Sequence, residues 1–266
     1  MHNPISLDTL AAALAHALQV DSPLHSAHAN DTLLRFIDEK FGASGADRVV
    51  MYNPDAIGEW VYRKYAQLMP YVNNGECIEV PFATVMPSVT PVCFGTMYTG
   101  AQPAVHGIQS YVKPVITIDT LFDCVIHCGK KPAIVCTAGD SLSKIFLERD
   151  MDYYIYDTME EVNAKAVELI LRDEYDLIVI YNGNYDTAMH KNGPEGIKSL
   201  TELRVNDHFF GILDNLIKNN WKHHNTLLGF AMDHGCHEID GECGSHGLDM
   251  DEDINIVHLY KAYTKE

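Results

Sequence analysis

The sequence predicts a three-layer α/β/α sandwich with a mainly parallel central sheet, and three observations support this fold class. The chain has 266 residues, which is enough for one sizeable α/β domain. Seven short apolar runs alternate with segments of helical spacing, as in successive βαβ units. Several of these runs are continuous rather than alternating, which is typical of strands covered on both faces. We therefore predict a single domain over residues 1–266, with an N-terminal helical segment (residues 1–47) packed on it.

The individual elements follow from the local pattern. Strands are expected at residues 48–53, 77–85, 133–137, 153–156, 176–181, 226–232 and 254–260. Helices are expected between them at residues 56–69, 117–128, 140–149, 159–172, 195–204 and 207–219. A short amphipathic helix capped by Ser6 or Asp8 is predicted near the N-terminus, and a second helix is predicted over residues 30–42.

Charge and composition exclude several classes of protein. The chain carries 19 basic and 37 acidic residues, and this net charge of −18 argues against a nucleic-acid polymer as partner. No apolar run is long enough to cross a membrane. The N-terminal apolar stretch lacks a preceding basic region, and the seven cysteines are odd in number without a C-x-x-C pair. We expect a cytoplasmic protein with reduced thiols.

Side chains that bind metals follow several of the predicted strands. Asp186 and His190 are four residues apart, so on a helical turn they share a face and can ligate one ion. Asp233 and His234 come directly after a predicted buried strand, where a turning backbone lets both side chains converge. Since chemistry gathers at the carboxyl ends of parallel strands, this recurrence indicates a site.

Two further candidates complete the set. Asp55 ends the first predicted strand, and His246 lies in a glycine-rich loop where the backbone can approach an ion closely. Together the three aspartates and three histidines form two sets of oxygen and nitrogen donors. This is the ligand chemistry of a two-metal hydrolytic site, with zinc favoured and manganese or iron as alternatives.

Each candidate also has an ordinary structural interpretation. Asp55 and Asp186 could be helix N-caps, and Asp233 could form an Asx-turn beside an exposed histidine. A structural zinc loop is a competing metal site, although its spacing fits no common zinc finger. Its four ligands would be Cys236, His237, Cys243 and His246.

The order of these residues resembles the alkaline phosphatase superfamily, nearest its nucleotide pyrophosphatase/phosphodiesterase branch. The resemblance rests on Thr90-Pro91 followed by T-G, P and H-G-I, and on the series D…T…D-x-x-x-H-x-x-G-P…D-H-G…H-G. It extends over roughly residues 48–247, about three-quarters of the chain. In this family pattern Thr90 opens a helix and is the nucleophile, which forms a phosphothreonine intermediate with helix N–H donors at the phosphoryl oxygens.

The resemblance also assigns the metal ligands and the substrate class. One ion would be held by Asp186, His190 and His246, and the other by Asp55, Asp233 and His234 together with the Thr90 oxygen. The substrate would be a small phosphate ester, and a phosphodiesterase or nucleotide pyrophosphatase is the first expectation. A phosphonate hydrolase resembling phosphonoacetate hydrolase and a phosphomonoesterase on the same core are alternatives, and a non-catalytic zinc-binding module is a further one.

One departure from the family pattern bears on the substrate. Tyr111 stands where the diesterase branch has an asparagine that donates to a phosphoryl oxygen, so Tyr111 is a candidate substrate-binding residue, with plain packing as its alternative. His106, in the H-G-I turn, is assigned to structure. Because the chain has little room for cap insertions, we expect an open site or one completed by a second copy in a homo-oligomer.

Overall fold

A seven-stranded sheet forms the centre of the computed structural model, which describes all 266 residues. The strand order is β2-β9-β6-β1-β5-β3-β4, and a separate hairpin is formed by β7 and β8. The strands are β1 (Arg48–Pro54), β2 (Ile78–Ala83), β3 (Pro132–Thr137), β4 (Asp152–Tyr156), β5 (Leu177–Asn182), β6 (Thr226–Phe230), β7 (His237–Ile239), β8 (Cys243–Ser245) and β9 (Asn255–Tyr263). Only β9 runs opposite to the other six strands of the large sheet, so the predicted mainly parallel α/β sandwich is confirmed.

Eleven α-helices accompany the strands, and they pack in two groups. The helices are α1 (Leu10–Leu18), α2 (Asp31–Phe41), α3 (Glu59–Lys64), α4 (Thr90–Thr99), α5 (Pro103–His106), α6 (Leu121–His127), α7 (Leu142–Ile145), α8 (Met159–Arg172), α9 (Asn184–Asn192), α10 (Ile197–Asn220) and α11 (Asp251–Ile254). α1 contacts α2, α4 and α6, whereas α10 contacts α8 and α9. No helix is long and apolar enough to span a membrane.

The hydrophobic core explains why this sheet forms. Strands β5 and β6 are buried at every position and β1 at all but its first, because helices cover both of their faces. The core is one cluster of 71 buried residues, and it includes Leu7, Leu10 and Leu14 of the N-terminal segment. The N-terminal segment therefore shares the core of the sheet.

Some predicted boundaries are wrong for identifiable reasons. The helices expected at residues 195–204 and 207–219 are the single helix α10, because buried Asn206 accepts a hydrogen bond from the Tyr52 hydroxyl instead of breaking the helix. Neither predicted cap holds α1, since the Asp8 carboxylate accepts from the Gln102 amide. Helix α2 is capped by the Asn30 side chain, which accepts from the Leu33 N–H.

Candidate metal centre

The six predicted ligands gather at the carboxyl ends of three adjacent strands. Asp55 follows β1, Asp186 and His190 lie on α9 directly after β5, and Asp233 and His234 follow β6. His246 comes from the segment after β8. Neither aspartate interpreted above as a helix cap is one, because Gly58 is the N-cap of α3 and Gly183 that of α9.

The first set, here called the outer group, consists of Asp186, His190 and His246. Asp186 Oδ1 lies 3.2 Å from His190 Nε2 and 3.4 Å from His246 Nε2, and the two Nε2 atoms are 3.2 Å apart. Ligands bonded to one tetrahedral zinc ion at 2.0–2.1 Å are about 3.3 Å from one another. The three atoms thus have the mutual separation that a shared cation requires.

The second set, here called the inner group, consists of Asp55, Asp233 and His234. His234 Nε2 lies 3.3 Å from Asp55 Oδ1 and 3.4 Å from Asp233 Oδ2. The imidazole rings of His234 and His246 stack with centroids 4.1 Å apart. The inner and outer groups are therefore neighbours and form one candidate centre for two cations.

All three histidines are oriented by backbone carbonyl groups. A carbonyl oxygen can only accept, so each Nδ1 carries the proton and each Nε2 presents its lone pair to the other candidate ligands. The hydrogen bonds run from His190 to Gly244 (3.0 Å), from His234 to Gly235 (2.9 Å) and from His246 to Ser88 (2.9 Å). This is the tautomer that metal ligation needs.

The carboxylates are buried without matching donors. Asp55 Oδ1, Asp186 Oδ1 and Asp233 Oδ2 are buried and accept no hydrogen bond. Burial and the charge of Asp186 raise the pKa of Asp55 to about 7, and burial together with Asp55 raises the pKa of Asp233 well above its usual value. Burial also opposes the charge on Asp186, but contacts with His190 and His246 hold the pKa of Asp186 below its ordinary value.

These observations fit two divalent cations. Buried carboxylate oxygens that lack partners are costly unless a cation offsets their charge. Neither Asp55 nor Asp233 forms an ion pair with a lysine or arginine, so the chain supplies no such cation there. The donor set of three carboxylates and three imidazoles suits zinc, manganese or iron. The role of these residues as ligands stays a prediction that the geometry supports.

Comparison with known proteins identifies the fold. No protein-family model and no curated protein matches the chain. Among solved structures, it is similar to the crystal structure of phosphonoacetate hydrolase from Sinorhizobium meliloti 1021 in complex with phosphonoformate, with a TM-score of 0.55 and 19% sequence identity. The chain has the alkaline phosphatase-like fold. The match covers 74% of this chain and 59% of that chain, so this chain spans about three-fifths of the hydrolase's length.

In this alkaline phosphatase-like fold, Thr90 is the first residue of α4 and lies beside the inner group. Its Oγ1 is 3.3 Å from Asp55 Oδ2 and 3.3 Å from His234 Nε2. The helix contributes fewer amide donors than expected, because Pro91 has no N–H and the N–H groups of Val92 and Cys93 both donate to Val89 O. The Thr90 N–H is the amide of this turn that remains free for an anion.

A cavity of about 180 Å³ opens beside Thr90 and is lined by polar groups. Tyr111 lies on its wall with an exposed ring, and the Lys113 ammonium is 5.2 Å from the centroid of that ring. Lys113 is the single lysine or arginine of the wall and also donates to Gly139 O at 2.8 Å. Tyr111 is therefore not packed in the core, and its predicted contact with substrate remains a prediction.

Sequence reasoning missed one residue of the centre. The hydroxyl of buried Tyr181 donates to Asp55 Oδ2, the same oxygen that faces Thr90. Tyr181 is the last residue of the strand predicted over residues 176–181, so its position at a strand end could be predicted from the sequence. Its partner was not, because Asp55 is 126 residues away in the chain.

Two glycines let the ligand-bearing loops approach one another. A Cβ atom on Gly235 would lie 2.0 Å from Glu252 O and 2.9 Å from the Gly58 Cα. A Cβ on Gly58 would lie 2.7 Å from the same Glu252 oxygen. The loops after β1 and β6 therefore touch through their backbones, and this contact brings Asp55 toward Asp233.

The cysteines and the remaining histidines of this region do not form a metal site. The structural zinc loop does not form, because His246 joins the outer group and His237 Nδ1 contacts Asp253 Oδ1 at 2.8 Å. All seven cysteines are free thiols. His106 is structural as expected: its Nε2 contacts Thr96 Oγ1 at 3.1 Å, and burial lowers its pKa to about 4.

Proposed function

We propose that this chain is a two-metal hydrolase that transfers a phosphoryl group from a small substrate to Thr90 and then to water. The observation that supports this most directly is the position of the Thr90 hydroxyl, 3.3 Å from side-chain atoms of two inner-group residues, Asp55 Oδ2 and His234 Nε2. A hydroxyl at this point can share the inner cation and still face the cavity. The fold agrees with this function, since the similar solved structure is titled a phosphonoacetate hydrolase.

The reaction divides into two balanced steps. In the first, a bond forms between Thr90 Oγ and phosphorus while the bond from phosphorus to the leaving group breaks, and the leaving group takes up a proton. In the second, water displaces Thr90 from phosphorus, which releases phosphate and restores the hydroxyl. Divalent cations bound at the two groups would neutralise the phosphoryl oxygens and lower the pKa of the hydroxyl and of the water.

The chain's own residues position the reacting groups. Asp55 Oδ2 faces the Thr90 hydroxyl and is oriented by the Tyr181 hydroxyl on its other side. The Thr90 N–H, which has no backbone acceptor, would supply a single donor to a phosphoryl oxygen. Burial of the inner group excludes water from the side of Thr90 that faces the protein.

The cavity favours a small substrate with an anionic end. A space of about 180 Å³ with one lysine on its wall suits a compact leaving group better than a nucleotide. A phosphonate that carries a carboxylate has both properties, and the similarity to phosphonoacetate hydrolase favours this alternative over the phosphodiesterase first expected. A phosphodiester substrate remains the rival, and it rests on the order of the motifs.

Replacement of the nucleophile tests the reaction. Thr90→Ala should reduce phosphate release by at least about 10³-fold, because no hydroxyl remains to accept the phosphoryl group. Thr90→Ser should retain part of the activity, and Thr201→Ala, at an exposed threonine of α10, should retain all of it. Wild-type turnover by Thr90→Ala with both metals bound would contradict the proposal.

A substrate panel tests the choice of leaving group. We expect metal-loaded enzyme to release phosphate from phosphonoacetate faster than from p-nitrophenyl phosphate or bis(p-nitrophenyl) phosphate. Lys113→Met should raise KM for phosphonoacetate and leave KM for p-nitrophenyl phosphate unchanged, because only the former carries a carboxylate. A preference for the diester would instead support the phosphodiesterase. No hydrolysis of any of the three by the metal-loaded protein would favour a non-catalytic metal-binding module.

A further inference from the structure

A second convergence of metal-binding side chains lies at the opposite end of the sheet. Asp173 is the residue directly after α8, and His223 and His224 lie between the end of α10 and the start of β6. These segments precede the strands β5 and β6, whereas the candidate metal centre follows them. The cluster therefore belongs to the amino-end edge of the sheet and shares no residue with the centre.

The three side chains face one point. Asp173 Oδ2 is 2.8 Å from His224 Nε2 and 3.3 Å from His223 Nε2, and the three atoms all lie within 4.8 Å of one another. The two imidazole rings are 4.1 Å apart between centroids. These separations are near the roughly 3.3 Å between ligands of one tetrahedral ion, so a small shift would admit a cation.

Arg48 holds the Asp173 carboxylate in an orientation that suits a cation site. Arg48 Nε donates to Asp173 Oδ1 at 3.0 Å, which leaves Oδ2 directed at the histidines. Arg48 Nη1 also donates to Asp176 Oδ1 at 3.0 Å, so its single positive charge is shared between two carboxylates. The two carboxylates thus outnumber the one guanidinium, and this excess of negative charge favours a cation.

We propose that Asp173, His223 and His224 form a third divalent-cation site, which takes a zinc-class ion and joins the end of α8 to the segment before β6. Two imidazoles and one carboxylate are borderline nitrogen and hard oxygen donors, as zinc accepts them. Solvent completes the coordination, since the His223 side chain is 67% exposed.

This site should bind more weakly than the candidate metal centre. No backbone carbonyl holds the Nδ1 atoms of His223 or His224, whereas all three histidines of the centre are held in this way. A bound ion would cross-link residues 51 positions apart in the chain, as the His224–Asp173 contact already does. Because the ion would bind the folded chain in preference to the unfolded one, zinc should raise the midpoint of thermal unfolding.

Zinc stoichiometry tests the proposal on the full chain. Equilibrium dialysis against buffered zinc followed by elemental analysis should give three ions for the wild type and two for His223→Ala. His223 is exposed, so its removal should leave the fold and the rate of phosphate release unchanged. His25→Ala, at an exposed histidine outside any cluster, should still bind three ions. Equal zinc content in the wild type and His223→Ala would overturn the proposal.

A second variant separates this inference from the proposed function. His190→Ala removes a ligand of the outer group, and at zinc concentrations that fill the third site it should lose bound zinc and hydrolysis. It should keep the part of the zinc-dependent increase in unfolding midpoint that the third site contributes, which is the part that His223→Ala loses relative to the wild type. If the wild type binds zinc at the centre without hydrolysing any substrate, the proposed function fails and the third site stands. If zinc raises the unfolding midpoint of His223→Ala as much as that of the wild type, the third site fails instead.

Discussion

Two charged clusters in this protein balance their buried carboxylates in opposite ways. In the lysine cluster, which consists of Glu76, Asp214, Lys218 and Lys261, buried Lys261 donates to Asp214 at 2.9 Å and to Glu76 at 3.0 Å. In the candidate metal centre the inner group has two buried aspartates and no lysine or arginine partner. One cluster contains its own cation, and the other leaves that position to a cation from solution.

The pKa values of the carboxyl groups in the two clusters reflect this difference. Lys261 and Lys218 lower the pKa of Glu76 to about 2, whereas burial and the charge of Asp186 raise the pKa of Asp55 to about 7. A group whose charge is already compensated within the chain contributes to folding. A buried carboxylate that is not compensated lowers the stability of the metal-free protein and makes the folded chain bind a cation more strongly. The comparison therefore predicts that the lysine cluster stabilises the fold and that the candidate metal centre serves cation binding.

The largest effect is expected from Asp233→Asn. The amide oxygen can still accept from the Ala56 and His234 N–H groups, which are 3.2 and 2.9 Å from Asp233 Oδ1. Loss of the charge should remove the inner cation and reduce hydrolysis by at least about 10³-fold, as measured by metal analysis and phosphate release. Without metal, the free energy of unfolding in urea should rise by about 1–3 kcal/mol, because an uncompensated buried charge is gone.

The same chemical change in the lysine cluster is the matched control. Asp214→Asn should lower the free energy of unfolding by about 3–5 kcal/mol, since it leaves the buried Lys261 ammonium short of a partner. It should not change the metal content. If Asp233→Asn and Asp214→Asn destabilise the metal-free protein equally, the two clusters do not differ in the way proposed.

The next prediction concerns replacement of the buried lysine in the lysine cluster. Lys261→Met should lower the free energy of unfolding by about 3–5 kcal/mol, because buried Asp214 would keep only the half-exposed Lys218 as a cationic partner. The loss should be the same with and without zinc, as the cluster lies outside the centre. Lys222→Met, at an exposed lysine that pairs with Glu266, should change stability by no more than about 0.5 kcal/mol. A zinc-dependent loss in Lys261→Met would contradict the separation of the clusters.

A smaller effect is expected from Tyr181→Phe. The hydroxyl donates to Asp55, so its loss should cost about 1–3 kcal/mol of unfolding free energy in the metal-free protein. With zinc bound the cost should fall, because the cation then compensates the same carboxylate. Tyr98→Phe is the matched control: its buried hydroxyl donates to Asn53 at 2.7 Å, away from the ligands. The loss in Tyr98→Phe should not depend on zinc, and a zinc-independent loss in Tyr181→Phe would show that Asp55 gains nothing from a cation.

The sequence predicted the six candidate ligands because each lies beside a local signal. Asp55, Asp186 and Asp233 follow apolar runs that read as strands, and parallel strands bring their carboxyl ends to one edge. The contact of Tyr181 with Asp55 and the presence of Lys113 on the cavity wall were not predictable in this way. Both depend on side chains from segments far apart in sequence meeting in space, which no local period encodes.

The helices show the same contrast: α8, which is stabilised by neighbouring residues, was predicted correctly, and α10, which depends on a distant residue, was not. The helix α8 was predicted with its observed bounds, and a local interaction forms its start, since Thr158 and Glu161 make a capping box. The continuity of α10 was missed because Asn206 looks like a break in the apolar pattern. Its stabilising partner, the Tyr52 hydroxyl at 2.7 Å, lies 154 residues away on β1.

The smallest effect concerns a buried group with no charged partner. His258 on β9 is buried between Tyr260 and Met232 O, and burial lowers its pKa from 6.5 to about 4. Because the folded pKa is the lower one, the unfolded chain binds more protons between pH 6.5 and 4, and stability falls as pH falls through this window. Between pH 7 and 5.5 we expect His258 to contribute a loss of about 1 kcal/mol in the metal-free protein. His258→Gln, which can still donate to Met232 O, should remove this part of the pH dependence in urea unfolding. An unchanged slope would mean that His258 is protonated in the folded state and that burial without a counter-charge does not determine its pKa.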